Sequence, residues 1–244
     1  MQPNKKIIAL IPARSGSERV KNKNIKILKN LPLIAYTIRS AINSKIFDKI
    51  IVSTDSKKYS NISKKFGADV PFLRPKKIAK SNSTDYEWVN FTIKKLLKIE
   101  KKKYTHFFIL RPTSPFRTSK TIIRAWKLFN KVKTADSLRA IELCKQSPYK
   151  MWTEKRNFII PLLKKKKFEQ PFYNMQFKSL PKIYVQNASL EISKISVLDK
   201  FKTITGKKII PFYTKEHEGF DINLSYDFKY AQYLIKRKKI KLEY

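Results

Sequence analysis

The chain has 244 residues, 42% of them apolar, enough to bury one sizeable core, and it nowhere reaches the ~18–20 consecutive apolar residues that cross a bilayer. Its single cysteine, Cys144, excludes an internal disulfide and a cysteine-based zinc cluster, and fits a small semi-buried residue in a reducing cytoplasm. The formal charge of +37 points at first to nucleic acid, but 45 of the 55 basic residues are lysines scattered along the chain, which reads as solvated surface charge with no nucleic-acid or membrane partner.

The start, MQPNKK, runs straight into IIALI, too short an apolar run for a secretory leader. Residues 6–11 form a compact apolar run that ends at Pro12 and predicts a buried strand feeding a loop. Ile34, Ile38, Ala41 and Ile42 then lie on one helical face, and residues 48–54 predict a second strand ending at Asp55. A helix over 57–66 is expected to stop at Gly67, and a longer one to begin near Thr84 with Val89, Ile93, Leu96 and Leu97 on its apolar face. Residues 105–110 predict a third strand that runs into RPTSP, followed by a helix marked by Ile122, Trp126 and Phe129. Residues 135–143, 185–192 and 208–213 have strand character, and Phe228, Ala231, Leu234 and Ile235 predict a closing helix. Between them, residues 145–182 are rich in lysine, aromatics and proline without clean periodicity, as expected of an inserted arm. The alternation of strands and helices predicts one α/β domain over residues 1–244 with a mostly parallel central sheet.

The stretch IPARSGSERVKNKNI leaves the first strand and enters a loop that carries Arg14, Arg19, Lys21 and Lys23. Small residues at Ser15, Gly16 and Ser17 let backbone N–H groups approach an anion, and the flanking cations suit a nucleoside triphosphate; the same features also fit a solvated turn. It is not a Walker A loop, which needs G-x-x-x-x-G-K-[ST]. Residues 53–56, 111–117 and 219–221 also fall at strand ends, where open α/β sheets bind ligands. Asp221 and Asn223, two apart, direct oxygens to one side as a hard Mg²⁺ ion requires, or else cap the last helix. His106 reads as a packed core residue and His217 as a loop residue.

Seven blocks in order, IPARSGSERVKNKNI, LPLIAYTI, DKIIVSTD, FGADVPFLRP, LRPTSPFRT, LPKIYVQNASLEI and FDINLSYDF, resemble the acylneuraminate cytidylyltransferases over residues 6–234. The resemblance implies a Rossmann-like sheet with helices on both faces, a homodimer built through the arm at about 145–182, and Mg²⁺-dependent transfer of CMP from CTP to a nonulosonic acid. It makes Arg14 a triphosphate ligand, Lys23 and Asn24 contacts to the phosphates and nucleotide sugar, and Arg74 and Thr84 the cytosine side. Arg111 takes a position often held by glutamine and counts among the nucleotide-binding residues, and Asp221 and Asn223 match the metal pair, with Arg14, Lys23 and Asp221 as the catalytic set. On the sugar side it implies Lys178, Gln186 and Asn187.

Three positions depart from the family pattern: Asn223 for a second aspartate, Phe177 for an arginine near the sugar acid, and NASLE at residues 187–191 for NGAIY. They favour a legionaminic or pseudaminic relative over N-acetylneuraminate itself, with Lys178 or Arg111 offered as the cation for the sugar carboxylate. The alternatives are the same chemistry on another 2-keto-3-deoxy sugar acid or nucleotide, and a catalytically weak binding homologue.

Overall fold

A computed structural model describes residues 6–164, 169–237, 240 and 242; Phe168 and Lys165–Lys167, which the sequence assigns to the arm, lie outside the described residues. The chain divides into two compact units, one of Met1–Ala140 with Asn187–Tyr244 and one of Ile141–Gln186.

The first unit opens with β1 (Ile7–Pro12), a two-residue ribbon of β2 (Ile27–Leu28) and β3 (Leu31–Pro32), and α1 (Leu33–Ser44). It continues with β4 (Lys49–Ser53), α2 (Lys57–Lys65), α3 (Asp85–Glu100), β5 (His106–Ile109), α4 (Ser119–Lys131) and β6 (Ser137–Leu143), whose last residues enter the second unit. Within that unit β7 (Trp152–Lys155) and β8 (Phe158–Pro161) form an antiparallel hairpin, turning at Arg156 with φ 56°. The chain re-enters the first unit along β9 (Tyr184–Lys194), followed by α5 (Ser196–Phe201), β10 (Ile209–Tyr213) and α6 (Ser225–Lys236).

Six strands make one sheet in the order β10-β6-β9-β5-β1-β4, with β1 parallel to both β4 and β5 and β9 antiparallel to β5. Alternate side chains of β1 serve opposite faces. Ile7, Ala9 and Ile11 pack with Ile34, Ile38 and Ala41 of α1 and Ile122, Ala125 and Phe129 of α4, whereas Ile8 and Leu10 pack with Trp88, Val89 and Leu96 of α3 and Leu198 of α5. A smaller cluster seats Phe228, Ala231 and Leu234 of α6 against Leu28, Leu33 and Tyr36. His106 is buried edge-on to Trp126 and Phe129, as a packed residue.

The α2 helix ends as its glycine foretells: Gly67 has φ 92°, its N–H donates to Lys64 O at 3.0 Å, and Ala68 N–H donates to Ser63 O at 3.2 Å. Leu97 is a difference, 40% exposed beside the buried Leu96, because the α3 face that meets the sheet is narrower than its apolar spacing suggests. The β2–β3 ribbon, the β7–β8 hairpin and α5 are short elements that escape the sequence pattern. No helix among the described residues is long and apolar enough to cross a membrane.

The parallel pairing sets up the functional edge. Pro12 lies level with Ser53 and Leu10 with Ile109, so the segments that follow β1, β4 and β5 leave the sheet on one side. Antiparallel β9 brings Glu191 opposite Ile109, to that same edge.

Candidate active site

The loop after β1 is anchored at both ends. Ala13 N–H donates to Ser53 O at 2.9 Å, and the N–H and hydroxyl of Ser15 donate to the two carboxylate oxygens of Asp55, each at 2.8 Å. Asn22 adopts a left-handed conformation (φ 53°), tolerable for asparagine, and accepts from the Tyr59 hydroxyl at 3.3 Å. Arg14 donates to Gly16 O, Ser17 N–H to Ser15 O at 2.9 Å, and Asn24 to Arg14 O at 3.3 Å. The loop is thus folded back on itself, with the Arg14 guanidinium on a neutral acceptor.

Lys23 joins this loop to the segment before α6, donating to Ile222 O at 2.8 Å. Burial pushes its ammonium below the ordinary lysine range and Arg19 and Arg14 add to that, while Asp221 and Asp227 pull the other way. The segment is tied to the turn after β5 as well, because Ile222 N–H donates to Thr113 O at 2.9 Å. Asn223 donates its amide N–H to Asp221 Oδ2 at 2.7 Å, and Asp221 Oδ1 is buried with no hydrogen-bond partner among the described residues. The helix-capping alternative for Asp221 and Asn223 passes to Asp227, whose carboxylate accepts from the N–H groups of Asn223 (2.9 Å) and Leu224 (2.7 Å). Asp227 therefore turns back over this segment, where the pattern of α6 alone would aim it away. Neighbouring Glu218 is engaged by Arg124 and by Thr121 Oγ1 at 2.7 Å, and His217 packs near Phe116.

Arg74 and Arg111 occupy contrasting surroundings. Arg74 is 5% exposed, donates to Ser53 Oγ at 3.0 Å and Ser53 O at 2.7 Å, and lies 4.9 Å over the Trp88 ring; burial pushes it down to about 10 despite Asp55 and Asp85. Arg111 donates to Asp85 and, at 3.0 Å, to Glu191 Oε1, and Arg139 pairs with the other Glu191 oxygen. Trp88 Nε1 donates to Asp85 Oδ1 at 2.8 Å, which links the two arginines. Burial raises the Asp85 carboxyl, but Arg111 and the bond from Trp88 outweigh it and hold the group below the usual carboxylate range. Thr84 caps α3, its hydroxyl accepting from Glu87 N–H at 3.4 Å while Glu87 accepts from Thr84 N–H at 2.6 Å.

Six residues beyond Arg111, Arg117 is wholly buried with three oxygen partners, Arg111 O (3.2 Å), Thr37 Oγ1 (2.8 Å) and Ser189 O. Burial alone pushes its guanidinium down to about 9. It braces the 111–117 turn against α1 and β9. An arginine six residues downstream of another carries no sequence signal for this, and neither do Asp85 and Arg139.

On the sugar side, Asn187 donates to Thr214 Oγ1 at 2.9 Å and accepts from Ser189 N–H at 3.2 Å. Lys178 and Gln186 belong to the second unit, Lys178 on the 3₁₀ turn Phe177–Ser179 and Gln186 on β9, both exposed. In the first unit the structure brings together Arg14, Ser15, Gly16, Ser17, Lys23, Asn24, Asp221 and Asn223, with Arg74 joined to them by the shared anchor of Ser53 and Asp55.

A family model described as Cytidylyltransferase matches residues 8–99. The chain is 31% identical over 234 residues to the CMP-N,N'-diacetyllegionaminic acid synthase of Campylobacter jejuni, covering 96% of this chain and 97% of that one. It is 48% identical over 124 residues to the N-acylneuraminate cytidylyltransferase of Escherichia coli, a match covering 51% of this chain and 28% of that longer protein. Among solved structures, a CMP:2-keto-3-deoxy-manno-octonic acid synthetase complexed with CTP superposes with a TM-score of 0.69 at 11% identity, over 96% of this chain and all of that one, a likeness of fold.

Proposed function

Since this chain belongs to the cytidylyltransferase family, we propose that it couples CTP to a nonulosonic acid of the sialic, legionaminic or pseudaminic type, releasing pyrophosphate. The observation that carries this is Lys23, whose ammonium ties the cationic loop after β1 to the acidic segment at Asp221. A triphosphate needs cations and N–H groups along its length, and a divalent cation at the reacting phosphate needs oxygen ligands close by; the loop after β1 and the segment at Asp221, joined through Lys23, are suited to these two tasks.

The anomeric hydroxyl of the sugar acid attacks the α-phosphorus and gives up its proton to water, the bond from the α-phosphorus to the β-phosphate oxygen breaks, and pyrophosphate leaves. Arg14 and Lys23 hold the triphosphate and stabilise charge on the departing pyrophosphate, with Gly16 giving the backbone close access. Asn24 sits beside the nucleotide sugar, Arg74 and the start of α3 at Thr84 face the base, and Asn187 faces the sugar acid.

Asp221 and Asn223 would hold Mg²⁺. The buried, unpartnered Asp221 Oδ1 fits a hard cation, and two protein oxygens leave further positions to phosphate and water. Bound there, Mg²⁺ supplies neutralisation of charge at the α-phosphate. Glu218, bound to Arg124 and Thr121, is a poorer candidate ligand.

We further propose a cytoplasmic homodimer. Its support is the second unit, where Phe158 is 75% and Ile159 64% exposed next to Leu162 and Leu163, an apolar surface suited to burial against a second copy. Light scattering checks this; a fully active monomer at micromolar concentration refutes it.

The test of the reaction is pyrophosphate release with CTP and a panel of nonulosonic and octulosonic acids. Release is expected with a nonulosonic acid. Release with an octulosonic acid alone moves the substrate class, and silence across the panel, with nucleotide still bound, leaves a binding homologue.

A further inference from the structure

The strand end of β4 carries a carboxylate that the reaction above does not use. Asp55 follows Thr54 in the STD stretch, yet it does not cap α2; Ser56 does that, its hydroxyl accepting from Tyr59 N–H at 3.4 Å. Both Asp55 oxygens are turned instead to the loop after β1, one accepting Ser15 N–H and the other Ser15 Oγ–H, each at 2.8 Å. Two bonds to two atoms of one residue fix its orientation as well as its position, as a single bond would not.

The rest of the loop hangs from the same strand and helix. Ala13 is bonded to Ser53, and Asn22, at the far end, accepts from Tyr59 of α2. Arg14 and Gly16 flank Ser15, and Arg14 closes on Gly16 O, so the orientation of Ser15 decides where the Arg14 guanidinium and the Gly16 backbone stand.

We propose that Asp55 is a positioning residue for the triphosphate-binding loop, and that Ser15 is its tether rather than a ligand of the nucleotide. A carboxylate facing a polyanion site carries an electrostatic cost, which Arg14, Arg19, Lys21 and Lys23 offset; its benefit is a loop already shaped before the nucleotide arrives. The inference rests on the assignment of this loop to CTP.

The experiment uses the full chain with Asp55→Ala, Asp55→Asn, Ser15→Ala and the Ser15→Ala/Asp55→Ala double variant. Calorimetry reads CTP affinity, and amide hydrogen exchange over residues 13–18 reads the tether without nucleotide. Asp55→Ala is expected to weaken CTP binding about tenfold or more, the order expected for loss of charge-assisted bonds, and to speed Ser15 amide exchange by a similar factor. Asp55→Asn, which keeps one acceptor oxygen, falls between Asp55→Ala and wild type, and the double variant is no weaker than Asp55→Ala. Unchanged exchange in Asp55→Ala overturns the tether, and unchanged CTP affinity overturns the positioning role. Tighter CTP binding in Asp55→Ala also overturns it, by showing that the carboxylate competes with phosphate. A wild-type chain that binds no CTP defeats the assignment of the loop, while the exchange measurement still decides the tether.

Discussion

Arg14, Lys23 and Arg74 donate to backbone carbonyls or a serine hydroxyl, whereas Arg111 and Arg139 end on the carboxylates of Asp85 and Glu191. The first set lies around the loop after β1, the second between α3, β6 and β9. A guanidinium already matched by carboxylates has little field left for a ligand, and its removal strands buried acids. A cation on neutral acceptors keeps its charge available to an incoming anion. On the proposed reading, the difference separates charge offered to a ligand from charge matched within the wall of the candidate site, which composition cannot do in a chain with 55 basic residues.

Five substitutions break or sharpen this comparison, in order of expected size. Asp221→Asn removes a carboxylate beside Lys23 with a buried oxygen that has no hydrogen-bond partner among the described residues, and should lower kcat by about 10³-fold, the scale of losing a principal charge-stabilising group. Asn223→Asp should tighten Mg²⁺ binding and keep part of the turnover. A Mg²⁺ titration of pyrophosphate release checks both, and wild-type metal dependence in Asp221→Asn would place the metal elsewhere.

Arg111→Met should cost about 3 kcal/mol of stability by leaving Asp85 and Glu191 without their shared partner, while CTP affinity changes little. The pH dependence has a definite sign. Asp85 titrates below its unfolded value of about 3.9, so its contribution is present above that pH and is lost as pH falls through the folded value. Without Arg111 the carboxyl titrates higher, and acid unfolding followed by circular dichroism should begin at a higher pH. A large loss of CTP affinity in this variant would collapse the distinction between the two sets.

Arg14→Ala should do the reverse, costing about 2 kcal/mol in kcat/KM for CTP with the melting temperature unchanged. Steady-state kinetics beside a thermal melt tests the pair of statements together. The smallest effect is expected from Thr84→Ala, about 1 kcal/mol of stability through the α3 cap. If CTP binding suffers more than the melt, Thr84 touches the base as well as capping the helix.

Much of the candidate site's grouping was legible because its residues are close in sequence. Arg14, Gly16, Lys23 and Asn24 sit in one loop that a buried strand must deliver, and Asp221 and Asn223 share one extended segment. The fate of Asp227 was not legible, since helical spacing describes the side of the helix a residue occupies and not whether a first-turn carboxylate folds back onto the preceding N–H groups. Asp55 and Arg117 were equally silent, because their partners lie 40 and 80 residues away in sequence.

By itself the sequence determined the alternation of strands and helices, the stop at Gly67 and the clustering of cations after the first strand. These rest on period, backbone conformation and residue type, which act within a few residues. Only the tertiary structure decided that Lys23 reaches across to Ile222, that Asp55 takes Ser15, and that Arg111 is matched by Asp85 and Glu191. Asp55 meets Ser15 because parallel β1 and β4 end at one edge, and Glu191 meets Arg111 because antiparallel β9 returns to that edge, so the charge a residue faces depends on the order and direction of strands in the sheet, which nothing local encodes.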